Sequence, residues 1–303
     1  METVESDLFK PISPFSPVRV TVMNHLVEVQ HMEKMNRTNN IKKIDKDRYL
    51  NLKTGEICEF TKTEVRSDSF NSLRQTFKKL RYLINNNYVG AGNELFVTLT
   101  YKENMTDTKK LYTDFKKFMM KFRYKYEKDY GSIDYMTIVE PQGRGAWHHH
   151  VLIRFNDFVS KNVYIPSNEV SEIWGHGFVT ISSLKDCDNI GAYLSAYLSD
   201  IELDESTIHY AASHNLEIKE REVDGKNKMF IKGGRLHLYP SGMNLYRKSK
   251  GIQMPEREEM KYEDIKKVVG SAKPHYTNQI VVEQDDFTNT ITYEQYNMKR
   301  GDE

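Results

Sequence analysis

The stretch IDYMTIVEPQGRGAWHHHVLIRF, Ile133 to Phe155, gathers side chains that can hold a cation. Tyr135 to Val139 is rich in β-branched and aromatic residues, Trp147 to Ile153 forms a second run, and Pro141 to Gly145 breaks the two apart. The pattern reads as strand, turn, strand. Side chains alternate along a strand, so His148 and His150 share one face and His149 takes the other. Antiparallel pairing brings Glu140, at the end of the first strand, close to the start of the second. Two imidazoles and a carboxylate on one face make a nitrogen and oxygen donor set suited to Mn, Mg or Zn. Three adjacent histidines also fit a plain polar strand end, and spacing alone leaves both readings open.

A second chemical element lies downstream. Asp188-Asn189-Ile190 opens a helix, NIGAYLSAYLSD, that carries Tyr193 and Tyr197 one turn apart on one face. By itself such a pair reads as two half-buried core aromatics. Beside a histidine–carboxylate site it can do more. A phenol has a pKa of about 10, so it needs an activator or a metal-polarised electrophile to act as a nucleophile. Attack on a phosphodiester leaves a covalent phosphotyrosine, which conserves the bond energy for reversal by a free 3′ hydroxyl.

The surrounding elements must position these groups. Apolar residues recur at helical spacing at Phe70, Leu73, Phe77, Leu80 and Ile84, with Arg74, Lys78, Lys79 and Arg81 on the other sides. ELFVTLTY, Glu94 to Tyr101, is a nearly continuous apolar strand, as expected for a central position. A basic amphipathic helix follows over about Asp107 to Tyr126, with Leu111, Phe115, Phe118, Met119 and Phe122 inward. Ile165 to Trp174 reads as a short helix and Phe178 to Ile181 as a strand. The order strand, helix, strand, strand, strand, helix predicts an antiparallel sheet with helices packed on one face, an α+β domain of ferredoxin-like type.

The ends differ in character. Residues 1–65 read as an N-terminal extension, partly a flexible arm, with a small hairpin around Tyr49 to Phe60. Residues 66–205 form the central domain. Residues 206–303 read as a C-terminal region with DNA-binding or structural duties, weak strands such as Lys228 to Ile231, a helix at Arg257 to Val269, and a paired tail from IVVEQ to ITYEQ.

With 303 residues, 38% hydrophobic and 12% aromatic, the chain can bury a core and is not globally disordered. A formal net charge of +1 means that nucleic-acid binding must rest on local basic surface. Two distant cysteines, Cys58 and Cys187, fit reduced thiols, and no apolar run spans a membrane. A soluble, cytoplasmic protein without membrane partners is expected. A GxxxxGK[ST] phosphate loop is absent from the sequence, so no attached ATP-driven helicase is expected on motif grounds.

Taken together, these motifs resemble the HUH replication initiators, the rolling-circle Rep endonucleases of small plasmids and phages. FVTLTY, Phe96 to Tyr101, is similar to their first motif. WHHHVLIRF supplies the paired metal histidines as His148 and His150, with His149 where the family has a bulky apolar group. Glu140 matches the upstream acidic ligand of related viral initiators, and YLSAYLSD is similar to the two-tyrosine form of the nucleophile motif. The likeness covers residues 94–200 and extends less specifically to Arg235 to Gly251. Two positions depart from it: where the family places a lysine three residues after a tyrosine, this chain has Ala196 and Asp200.

The resemblance implies nicking and joining of single-stranded or extruded origin DNA through a 5′-phosphotyrosyl intermediate. His148, His150 and Glu140 then hold one divalent ion, Mn or Mg. Tyr193 initiates and Tyr197 serves strand transfer, unless Tyr197 is structural. Lys116, Lys117, Lys121, Arg247, Lys248 and Lys250 are the candidate contacts to the DNA backbone, and a host helicase and polymerase complete replication. Two alternatives share the fold: a relaxase or transposase, and a non-catalytic origin-binding or autoregulatory protein that the missing lysines would suit.

Overall fold

The computed structural model describes residues 2–5, 9–35, 40–60, 70–142, 146–159, 161–185, 187–203, 217–223, 226–240, 242–284 and 287–300. The architecture is α+β, with several antiparallel sheets and interspersed helices. Contacts divide the chain into two compact units, Glu64–Met254 and Met1–Thr63 with Pro255–Glu303. The division into three consecutive segments is therefore not how the contacts fall. The first and last segments share one unit, and residues as far as Met254 belong with the central domain.

In Glu64–Met254 the main sheet has five antiparallel strands. Their spatial order is Gly177–Ser182, Glu94–Tyr101, Trp147–Phe155, Ile133–Pro141 and Tyr246–Lys248. ELFVTLTY is an inner strand, as its apolar run predicts. Alternation gives each strand two working faces. Val97, Leu99, Val139, Val151 and Ile153 point to one side and pack against the helices Thr108–Tyr130 and Ser167–Trp174. Met136, Ile138 and Leu152 point to the other, where the helices Phe70–Asn87 and Ile190–Ser199 cover them. Helices thus flank both faces, which corrects the one-face expectation. The second pair exists because both faces of the inner strands carry large apolar side chains that must leave water.

The long helix Thr108–Tyr130 shows why these elements form where they do. Asp107 caps it by accepting the Lys109 and Lys110 amide N–H groups, and Gly131, at φ 79°, ends it. Between them Leu111, Phe115, Phe118, Phe122 and Tyr126 recur every three to four residues and are buried against the sheet. Truncating one of the fully buried rings, Phe118→Ala for example, costs about 3–5 kcal/mol by lost burial and the cavity left behind.

A smaller sheet extends from the end of the tyrosine helix. Ile201–Glu202 pairs with Lys226–Ile231, which pairs with Ile218–Val223. The chain then turns at Gly233, φ 69°, and runs back along the Glu140 strand, where Tyr239 donates its hydroxyl to the Val139 carbonyl at 3.0 Å.

The other unit is built on a six-stranded antiparallel sheet. In order across it lie Glu2–Glu5, Pro274–Gln284, Phe287–Asn297, Leu26–Met32, Pro17–Met23 and Arg257–Lys261. The apolar stretch from Val18 to Val29 is a hairpin, and the IVVEQ and ITYEQ segments pair as expected. Arg257–Val269 is not one helix. It is an edge strand, Arg257–Lys261, followed by a short helical turn, because Met260 alternates with charged neighbours at strand period. The 31–64 stretch also holds more than an arm: Ile41–Lys43, Arg48–Asn51 and Ile57–Glu59 form a three-stranded sheet containing the predicted hairpin. Among the described residues no helix is long and apolar enough to cross a membrane.

Candidate functional site

Strand register assembles the site. Residues directly opposite in an antiparallel pair point to the same face. Phe178 pairs with Thr100, Thr100 with His148, and His148 with Glu140, so these four form one row across four strands. The next row is Thr180, Thr98, His150, Ile138 and Tyr246. Both rows lie on the side covered by the tyrosine helix, since Ile138 packs in one cluster with Leu194 and Leu198. The sequence thus placed His148, His150, Glu140 and the tyrosine helix on a common face.

His150 and Glu140 are both buried and in direct contact, Nε2 to Oε2. The Nδ1 of His150 lies 3.2 Å from Thr98 Oγ1, and its ring stacks on Phe96 with centroids 5.6 Å apart. If Nε2–H donates to Glu140, the Thr98 hydroxyl donates to Nδ1 and every polar atom of the ring is satisfied. The other carboxylate oxygen, Glu140 Oε1, sits 2.7 Å from Nη1 of Arg235. Burial alone pushes the Glu140 carboxyl up, but the His150 hydrogen bond and the nearby charges of His150, Arg235 and His148 outweigh it and hold the pKa below the usual range. Glu140 is accordingly an ionised carboxylate in an enclosed setting.

His149 lies on the opposite face, as strand alternation predicts. Its Nε2 is 3.2 Å from the Leu111 carbonyl and its Nδ1 3.0 Å from Thr137 Oγ1, and its ring stacks on Phe115 at 4.8 Å. Burial pushes its pKa down to about 3, so it stays neutral inside the core.

The tyrosine helix is held at both ends. At its start Asn189 accepts the Ala192 N–H at 3.0 Å, while buried Asn85 accepts the Gly191 N–H at 2.7 Å and donates to Asn189 at 3.0 Å. A Cβ at Gly191 would stand 2.7 Å from both the Arg81 carbonyl and Asn85 Oδ1, so only glycine allows this approach of the two helices. At its end Asp200, far from offering a positive charge, is buried and accepts the Gly233 N–H at 2.9 Å. That bond sets the turn leading to Arg235, whose Nε donates to the Asp200 carbonyl at 2.6 Å and whose own N–H donates to the Ser199 carbonyl at 2.9 Å. Helix ends carry carbonyls without intrahelical partners, and Arg235 satisfies two of them here.

Between these anchors Ile190, Leu194 and Leu198 are buried, whereas Tyr193 is 53% exposed. Tyr193 is therefore not a core aromatic. The side chain of Tyr197 lies outside the described residues; its backbone is one turn further along the same helix.

The basic residues are distributed differently from the ligands. Lys116, Lys117 and Lys121 are exposed on the helix that covers the opposite face of the sheet. Arg247 pairs with Thr137 and lies over the Tyr112 ring at 3.5 Å, also on that opposite side. Lys248 pairs with Met136 on the ligand face and donates to the Ile252 carbonyl at 2.6 Å, and Lys250 is exposed. Three further residues escaped the sequence reading: Arg235, Asn85 and Phe178. Arg235 lies far along the chain from Glu140, and no local spacing links them. Phe178 could have been found by extending the strand alternation to a third strand.

The donor types of His148, His150 and Glu140 suit a divalent ion and share a face. Among the described residues, however, no group of three histidine, cysteine or carboxylate side chains is already arranged to hold one. Glu140 is engaged by His150 and Arg235 and must exchange partners to serve as a ligand.

Residues 94–202 match a family model of replication-associated proteins, the ORF2 type. The match takes in Glu140, His148, His150, Tyr193 and Tyr197 and ends before Arg235. No curated protein matches the chain. The chain thus carries a replication-associated domain of this type over about the middle third of its length, which in general terms points to a replication protein with enzymatic potential.

Proposed function

We propose that Glu64–Met254 is a metal-dependent endonuclease and strand transferase that nicks and rejoins single-stranded or extruded DNA at a rolling-circle replication origin. The observation that carries this reading is the common face: Glu140 opposite His148, His150 in the next row, and the tyrosine helix packed over both and tied to Glu140 through Arg235. The four strands linked by helices lie in the order fourth, first, third, second, all antiparallel. This is the ferredoxin-like arrangement, which supports a fold of the HUH type.

In the reaction proposed, the hydroxyl oxygen of Tyr193 or Tyr197 bonds to the scissile phosphorus and loses its proton. The bond from phosphorus to the 3′ oxygen breaks, the 3′ oxygen takes up a proton, and the 5′ phosphate stays on tyrosine. His148, His150 and Glu140 are the residues that would hold Mn or Mg, whose charge offsets that of the nonbridging oxygens. The exposed face of Tyr193 lets a strand reach its hydroxyl without unfolding the helix.

One observation favours a second reading, a non-catalytic origin-binding protein: the Glu140 carboxylate is already saturated by His150 and Arg235, and Ala196 and Asp200 bring no positive charge. Incubation with origin-scanning single-stranded oligonucleotides and Mn or Mg separates the two. A covalent adduct stable in denaturing gels, with its peptide mapped to 190–199, supports the enzyme. Sequence-specific binding with no adduct under any metal supports the binding protein.

A further inference from the structure

Arg235 stands where the metal-ligand face and the nucleophile helix meet. Its side chain is only 16% exposed, with Nη1 2.7 Å from Glu140 Oε1 and 3.0 Å from the Pro141 carbonyl. Its Nε reaches the Asp200 carbonyl at 2.6 Å, and its backbone N–H reaches the Ser199 carbonyl. One residue therefore neutralises the carboxylate on the sheet and closes the end of the helix that bears the tyrosines. Asp200 completes the arrangement by fixing the Gly233 turn. A guanidinium has fixed charge and a planar fork of donors, so it can bridge a carboxylate and two carbonyls at once, which an ammonium cannot.

The consequence concerns competition. Oε2 of Glu140 is on His150 and Oε1 is on Arg235. A divalent ion using this carboxylate must displace the guanidinium or tolerate its charge at close range, and both oppose binding. Arg235 is otherwise tied to the helix end, so occupancy of Glu140 and anchorage of the helix are linked through it. We infer that Arg235 is the resident counter-cation of Glu140, a positioning residue that restrains the tyrosine helix and competes with a divalent ion for the carboxylate. The inference rests on the proposed function only in assigning Glu140 as a metal ligand.

Mn²⁺ titration of the full chain, read by the electron paramagnetic resonance of the free ion, tests it without any cleavage assay. Arg235→Gln is expected to bind Mn²⁺ about tenfold more tightly than wild type, the equivalent of losing one charge-assisted hydrogen bond from the competitor. Glu140→Gln should abolish that difference. Arg235→Lys keeps the charge and loses the fork, so its Mn²⁺ affinity should stay close to wild type. Amide hydrogen exchange over 196–200 should accelerate in both Arg235 variants. A residue that merely held Glu140 in place would give the opposite sign, with Arg235→Gln weakening Mn²⁺ binding. Weaker or unchanged affinity in a variant that still melts cooperatively overturns the proposal. Should Arg235→Gln fail to fold, unaltered exchange over 196–200 in Arg235→Lys overturns it instead. Uptake of Mn²⁺ by wild type but not by His148→Ala, with no effect of Arg235→Gln, defeats this inference alone. No uptake by wild type defeats the metal site and this inference with it.

Discussion

Glu140 and His148 stand directly opposite each other on adjacent antiparallel strands, and a strand pairing of this kind leaves no freedom in which face they share. A slip of one residue would turn Glu140 away and present Val139. The turn between the strands therefore matters as much as the ligands, and so does the row that continues through Thr100 to Phe178.

The three histidines should separate cleanly. His148→Ala and His150→Ala are expected to abolish cleavage while sparing most DNA affinity, which comes from phosphate contacts. His149→Leu should keep cleavage but lose stability. The substitution strands the Thr137 hydroxyl and the Leu111 carbonyl inside the core, a cost of about 1–3 kcal/mol. Denaturant unfolding run beside an oligonucleotide cleavage assay checks both halves. Equal loss of cleavage in all three variants would contradict the face assignment.

Glu140→Gln keeps the shape of the side chain and removes its charge. Cleavage should fall, and the Mn²⁺ concentration for half-maximal rate should rise. An unaltered metal titration would move the third ligand elsewhere. Asp134 is a poor substitute, because Ser249, Asn156 and Arg154 already occupy its carboxylate at the far end of the strand.

Much of this was legible in the sequence, and the reason is local. Alternation over WHHHVLIRF fixes the faces of His148, His149 and His150, and helical spacing fixes Tyr193 and Tyr197 on one helix. What escaped is what depends on distant pairing. The helices on the second sheet face, the strand at Arg257–Lys261 and the placement of Arg235 all arise from contacts between residues far apart in the chain. The basic residues show the same limit. A run of lysines on the helix Thr108–Tyr130 says nothing of which sheet face that helix covers, and it covers the one away from Glu140.

Asn85→Ala should loosen the start of the tyrosine helix. It removes the acceptor for Gly191 and the donor to Asn189, and the expected cost is about 1–3 kcal/mol of stability. Gly191→Ala attacks the same junction by crowding, since its Cβ meets backbone and side-chain oxygens of the neighbouring helix. Faster amide exchange over 190–194 in both variants, with slower cleavage, is the expected result.

Phe178 is 67% exposed on the ligand face, in the row of His148 and Glu140. An unpaired base lying along that row would stack on it. Phe178→Ala should therefore weaken single-stranded DNA binding by about 1–3 kcal/mol, with little change in melting temperature. Fluorescence anisotropy with labelled oligonucleotides measures the first and thermal unfolding the second. Unchanged affinity would place the strand elsewhere on the sheet.

The two tyrosines should divide the work. Rolling-circle replication needs a cut at initiation and another at termination, when the displaced strand is closed. One phosphotyrosyl link occupies one hydroxyl, so a second tyrosine one turn away can attack while the first is still loaded. Tyr193 has the exposure an initiating nucleophile needs. Tyr197 lies closer along the helix to Asp200, whose carbonyl binds the arginine that contacts Glu140. Tyr193→Phe is expected to remove nicking of a fresh origin. Tyr197→Phe is expected to nick but to fail in joining from a preformed covalent complex. The two reactions must be assayed separately, with unfolding measured for each variant, since removing a hydroxyl from a packed ring also shifts stability. If Tyr197→Phe retains both reactions and wild-type stability while Tyr193→Phe loses both, the enzyme works with one tyrosine and the relay is wrong.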